Sequence, residues 1–223
     1  NTSSTPMRFR WAWFVLPWFP FLVVVGQYLA NTPGSAEWFF PFINVGVVAV
    51  PSVCVAALAA WRYSRRNPLS WPFSWREWTS GFTYGAVGAT SIAGIINTVY
   101  IVVAALVLVT WKGDASGDLA GELRSLPRAW GIFLDLSALS IVAPLNEEFW
   151  KGMLVAFFFF RGGGPGRCFT WGVVAGAGFN LLETFTNSLA VVDPGAIADQ
   201  RIGEDWWVFA SARAGTALMH PAA

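Results

Sequence analysis

Six stretches of the chain, at about 11–30, 38–61, 81–111, 130–160, 168–192 and from 206 to the end, are apolar and carry few charges. A bilayer core about 30 Å thick is crossed by roughly 20 residues of α-helix. In hydrocarbon a backbone must satisfy its own hydrogen bonds, which leaves helices or closed barrels as the spanning structures. Runs of this length suit helices, so the expectation is an all-α polytopic transmembrane bundle of about six membrane helices. Charged residues are 12% of the chain and hydrophobic ones 55%, whereas a soluble domain carries roughly a quarter charged residues. The fourteen Trp and nineteen Phe agree, because amphipathic rings gather where hydrocarbon meets headgroups. A formal net charge of +1 supplies no basic field for nucleic acid.

Charge placement sets an expected orientation. Arg8, Arg10, Arg62, Arg65, Arg66, Arg76, Arg161 and Arg167 fall in loops on one side, against a single acid, Glu77. The other side holds Glu37, Asp114, Asp118, Glu122, Asp193, Asp199, Glu204 and Asp205, opposed by Lys112, Arg124, Arg128 and Arg201. The positive-inside rule then puts the N-terminus in the cytoplasm and predicts that residues 130–160 cross once, as one helix kinked at Pro144. Two short helices there would scramble the pattern. Asn1 and Ala223 lead to the expectation that sequence is missing at both ends.

The segment from Trp61 to Trp78, with Pro68 and Pro72, reads as a cytoplasmic loop lying against the headgroups. Residues 114–128 read as an interfacial turn or short helix on the far side. The run from Gly162 to Gly166 lacks the Gly-Lys-Ser/Thr of a phosphate loop and is flanked by membrane helices, which makes it a tight hairpin. Gly81 with Gly85, and Gly172 with Gly176, are spaced for close helix contact. Cys54 and Cys168 form no ligand or disulfide pattern and read as packing residues.

Seven ionisable residues remain inside the apolar runs: Asp135, Glu147, Glu148, Lys151, Glu183, Arg213 and His220. A charge at the bilayer centre costs about 2.5–3.5 kcal/mol even on the lenient insertion scale, so each is a functional candidate by default. Counted along their helices at 1.5 Å per residue, Glu147, Glu148, Glu183 and His220 reach depths that agree to within about two turns. Asp135 sits near an outer end, within reach of headgroups or water. Lys151 is four residues from Glu147 and three from Glu148, so it can neutralise either carboxylate. The other is left as a general base with a proton-sharing neighbour. Arg213 and His220 are two turns apart on one face. The guanidinium can neutralise carboxylates or hold an oxyanion, and the imidazole can shuttle protons or ligate a metal.

Glu147-Glu148-Phe149-Trp150-Lys151, then Phe179-Asn180-Leu181-Leu182-Glu183, then Arg213 with His220-Pro221, resemble the E-E-x-x-K, F-x-x-x-E and Arg-then-His motifs of the PrsW family of bacterial intramembrane proteases. The likeness covers about residues 140–221 and is carried by the order of the three motifs on successive helices. It implies a membrane peptidase related to the CAAX-processing and bacteriocin-processing superfamily, acting on membrane-anchored proteins in the bacterial cytoplasmic membrane. Those relatives usually place Arg one position after Lys151 and His at Glu183, departures that favour PrsW. By the same resemblance Glu147 and Glu148 would activate water, His220 would assist as ligand or oxyanion stabiliser, and Glu183 would complete the polar site.

Two chemistries stay open at this stage. His220, Glu148 and Glu183 could hold Zn²⁺ with a position left for water, or a glutamate could polarise water without a metal. Two other functions also stay open: a catalytically silent accessory subunit that binds other membrane proteins in a larger complex, and a proton-coupled transporter, for which no inverted repeat is evident. The expected organisation is a single membrane domain over 1–223, with a three-helix part at 1–128 and the motif-bearing core at 129–223.

Overall fold

A computed structural model describes residues 11–30, 40–66, 73–112, 121, 127–161, 164–191 and 206–222. These are helical almost throughout, and no β-strand forms among them. The elements are α1 (Ala12–Val15), α2 (Trp18–Ala30), α3 (Phe40–Arg66), α4 (Trp75–Thr83), α5 (Thr90–Lys112), α6 (Arg128–Ser137), α7 (Ala143–Phe160), α8 (Pro165–Val191) and α9 (Trp206–Ala222). Wide π-helical turns at Tyr84–Ala89 and Ala138–Val142 join α4 to α5 and α6 to α7 without a break in the helix.

Four stretches are long and apolar enough to cross a membrane: Ala12–Leu29, Phe42–Arg66, Trp75–Trp111 and Arg128–Phe160. The protein is therefore a helical membrane protein. The remaining two expected spans, now α8 and α9, are helical but do not reach that standard of length and apolarity among the described residues. For α8 the polar residues that lower its apolarity, Asn180 and Glu183 among them, are accommodated by its surroundings. From Thr170 to Asn180 nearly every residue is buried, so the helix is enclosed by protein and has no need of an apolar coat.

Local chemistry accounts for the boundaries. Pro17, which has no N–H to donate, separates α1 from α2 and splits the first expected run. The Trp61–Trp78 loop is shorter than expected: α3 continues to Arg66 and α4 begins at Trp75. Ser74 Oγ accepts the Glu77 N–H at 3.2 Å, while Glu77 Oε2 accepts the Ser74 N–H at 2.9 Å. This reciprocal cap starts a helix in a charged segment that hydropathy alone reads as loop. Pro144 lies two residues past the second π turn, and the widened turn takes up the displaced hydrogen bonds. Residues 128–160 are one continuous helical stretch, as the single-crossing reading required. At α8, Pro165 occupies the first helical position, where its missing N–H costs nothing. The interfacial segment expected at 114–128 and the acidic loop at 193–205 lie largely outside the described residues.

The chain forms two compact units, residues 1–88 with 151–223, and residues 89–150. In the first, α8 is the central helix and packs on α3, α4 and α9. Hydrogen bonds pair Asn44 with Ser188 and Ser52 with Asn180, so α3 and α8 run antiparallel. Trp206 shares the Asn44 level and Thr216 the Asn180 level, which makes α9 antiparallel to α8. Helix α4 runs parallel to α8, in very close contact. A Cβ on Gly85 would sit 1.8 Å from the Ala175 carbonyl oxygen, and one on Gly178 would sit 2.1 Å from that of Phe82. Gly81 and Gly85 thus serve the close contact expected of them, but across from Trp171, Ala175 and Gly178. Trp171 stacks on Phe158 at 4.0 Å and meets Phe73 edge-on at 5.4 Å. The acid Glu77 is held by Arg167 in an ion pair.

The second unit is a hairpin of α5 against α6, the second π turn and the start of α7. Tyr100 donates to Ser137 Oγ at 2.9 Å, and Trp111 meets Trp130 edge-on at 5.3 Å. Asn146 Nδ2 donates to the Ala93 carbonyl at 3.0 Å and to Asn97 Oδ1 at 2.9 Å. Small residues, Ala93 and Ala105 among them, make the buried seam.

Candidate functional site

Helix α8 carries the polar machinery of the first unit because its polar residues recur at helical spacing. Asn180, Glu183, Thr184, Asn187 and Ser188 are three, four, seven and eight residues apart, one stripe along the helix. Its upper and lower rungs are neutral. Asn180 Nδ2 donates to Ser52 Oγ, and Asn180 Oδ1 accepts from Thr216, both at 2.8 Å. Eight residues further, about 12 Å along the axis, Asn44 Nδ2 donates to Ser188 Oγ at 2.9 Å. The Trp206 indole N–H donates to Asn44 Oδ1 at 3.1 Å. Asn44, Ser52, Asn180, Ser188 and Trp206 are buried, so each bond replaces one that water would make outside a membrane.

Between these rungs lies a charged one. Arg213 Nη1 donates to Glu183 Oε1 at 2.8 Å, and Asn187 Nδ2 approaches the same oxygen at 3.4 Å. Both side chains are about one-fifth exposed. The Arg213 guanidinium also lies 5.7 Å from the Phe209 ring centre, one turn back on α9. One turn before Glu183, the Phe179 ring receives a second cation: the Lys151 ammonium stands 4.2 Å from its centre, and Lys151 is only 5% exposed. A buried ammonium over an aromatic face is attracted by the ring's negative quadrupole.

The structure therefore brings Lys151 to Phe179 and Glu183 to Arg213. Glu147 and Glu148 are half-buried on α7, one turn before Lys151, and belong to the second compact unit. Both are engaged by neighbours. Asp135 is exposed on α6, as its position near a helix end suggested. His220 falls within α9 by its backbone, while its side chain lies outside the described residues.

A metal ion needs several donors around one point. Among the described residues no three His, Cys, Asp or Glu side chains are grouped to hold one. Glu183, one of the candidate ligands, already gives an oxygen to a guanidinium whose charge opposes a cation at the same place.

Sequence reasoning found the charged residues and missed the neutral ones. Asn180 stood inside a quoted motif only as a spacer, and Asn44, Ser52, Ser188 and Thr216 went unremarked. Their signal was present as polar residues eight apart, Asn44 with Ser52 and Asn180 with Ser188, in otherwise apolar runs. Comparison of the chain with protein-family models, with curated proteins and with solved structures gives no match.

Proposed function

We propose that this protein is a PrsW-like intramembrane endopeptidase that cleaves membrane-anchored proteins by glutamate-activated water. The observation that carries the reading is the pair of enclosed charge contacts on α8, Lys151 over Phe179 and Arg213 on Glu183. Asn, Ser and Thr already tie α3, α8 and α9 together, so ionised groups are not needed for cohesion. Replacing a buried ion pair by apolar residues is often neutral or stabilising, and charge kept inside a membrane bundle points to chemistry. The four residues in contact are the Lys, Phe, Glu and Arg that the three motifs specify.

In this reading the carboxylate of Glu148, with Glu147 sharing its proton, removes a proton from water as the water oxygen bonds to the peptide carbonyl carbon. The proton passes to the amide nitrogen as the C–N bond breaks, leaving a carboxylic acid and an amine, and the acid then gives its own proton to the amine or to water. Arg213 and Lys151 are cations suited to an oxyanion, Glu183 fixes Arg213, and His220 assists in proton transfer. The same reading takes α8 and α9 as crossings five and six. The antiparallel order of α3, α8 and α9 supports that assignment, and the arginine-rich helix ends face the cytoplasm of a bacterial plasma membrane.

The test is a comparison of membrane-anchored protein fragments in cells carrying the parent chain, Glu148→Ala or His220→Ala. Fragments made by the parent should disappear in both variants at equal protein level. If both variants cut as well as the parent, the enzyme reading is lost and a catalytically silent accessory subunit that binds other membrane proteins in a larger complex takes its place.

A further inference from the structure

We propose that a groove of the first unit holds one anionic phospholipid, its alkyl chain between helices and its phosphate on Arg62. The groove has a volume of about 390 Å³ and runs between α1, α3, α8 and α9. Trp13, Val55, Leu58, Phe169 and Leu218 make an apolar wall, and among the described residues Arg62 is the one charged residue lining it. Trp13 and Trp61 meet edge-on at 6.5 Å beside that arginine. Indoles of this kind sit at headgroup depth, so Arg62 is level with phosphates while the wall below it is level with alkyl chains.

Size chooses among apolar occupants. One turn of helix with its side chains, about 10 Å across and 5.4 Å long, would fill roughly 400 Å³. The groove thus has room for a single turn of a peptide helix, too short a grip for a transmembrane segment, whereas a flexible alkyl chain can thread it. Charge chooses the headgroup. Arg62 is exposed, with Arg65 and Arg66 on the next turn of α3, and Arg65 lies over the Trp61 ring at 5.5 Å. The acid nearest in sequence, Glu77, is already taken by Arg167. A guanidinium so placed matches a phosphate in fork geometry, and the surrounding arginines favour a lipid of net negative charge.

The experiment is native mass spectrometry of the detergent-solubilised full chain titrated with phosphatidylglycerol or phosphatidylcholine. One phosphatidylglycerol per chain should be retained, roughly fivefold more tightly than phosphatidylcholine, whose phosphate is neutralised by its own choline, the ratio that the attraction of one arginine for a net negative headgroup gives. Arg62→Gln should bring the two lipids level, and Ala59→Phe, which fills the groove, should remove both adducts. Arg76→Gln, exposed on α4 away from the groove, should leave the preference intact. Equal retention of the two lipids by the parent, an unchanged preference in Arg62→Gln, or an equal loss in Arg76→Gln would overturn the proposal.

Discussion

The two compact units are built from similar amino acids and are held together differently. Residues 1–88 with 151–223 surround one enclosed helix, with glycine-to-backbone contacts and three polar rungs. Residues 89–150 form a hairpin whose outer faces are exposed aliphatics, Ile95, Val99, Leu139 and Leu145 among them. Glycines mark the contrast. A Cβ on Gly85 would collide with backbone, and one on Gly94 would meet nothing within 4 Å. In a membrane, where lipid is as apolar as leucine, helices associate through close packing and hydrogen bonds. The first unit invests in both, and the second leaves its apolar surface to lipid.

The largest expected effect follows from that contrast. Gly85→Leu or Gly178→Leu should destabilise the protein by about 3 kcal/mol or more, since the obstruction is backbone and cannot rotate away. Gly94→Ala should be neutral or stabilise by up to about 1 kcal/mol through helix propensity. Thermal unfolding in detergent measures both, and equal losses at Gly85 and Gly94 would erase the distinction.

The next effect concerns the charged rung. Glu183→Ala alone leaves a partly enclosed guanidinium without its carboxylate and should cost about 1.5–3 kcal/mol. Adding Arg213→Ala should recover part of that loss, a non-additivity that a double-mutant cycle reads directly. Simple addition of the two single losses would mean that the pair is not coupled.

These contacts also show how far the amino-acid order could be read. Hydropathy located the helical regions, four of them long and apolar enough to cross a membrane, and the three charged motifs pointed to Lys151, Glu183 and Arg213, which do find partners. Two things were hidden. The start of α4 at Trp75 depends on a side-chain cap between Ser74 and Glu77, which a hydropathy scan scores as charged loop. The shortfall of α8 as an apolar span comes from its own polar residues, Asn180 and Glu183 among them, whereas the partners that receive those side chains are a property of packing that its sequence does not state. Residues such as Asn44 and Ser188 looked incidental because a single polar side chain acquires meaning only once its partner, 144 positions away, is known.

Smaller effects separate the neutral rungs. Asn180→Ala removes bonds to both Ser52 and Thr216 and should cost about 1–2 kcal/mol. Asn146→Ala, in the other unit, breaks its bonds to Ala93 and Asn97 at a half-buried site and should cost about half as much. Thr184 runs the other way. Among the described residues its buried hydroxyl has no hydrogen-bond partner, so Thr184→Val should stabilise by up to about 1 kcal/mol. A loss there instead would show that a bound water completes the rung.

The most direct test of the account is the double variant Glu183→Leu with Arg213→Leu, assayed for unfolding and for cleavage of a membrane-anchored substrate. If the charges are kept for chemistry, melting should stay level or rise while cleavage falls by about a hundredfold or more. Lost stability with cleavage intact in the surviving folded fraction would contradict it, and would make the pair an ordinary fastening between α8 and α9.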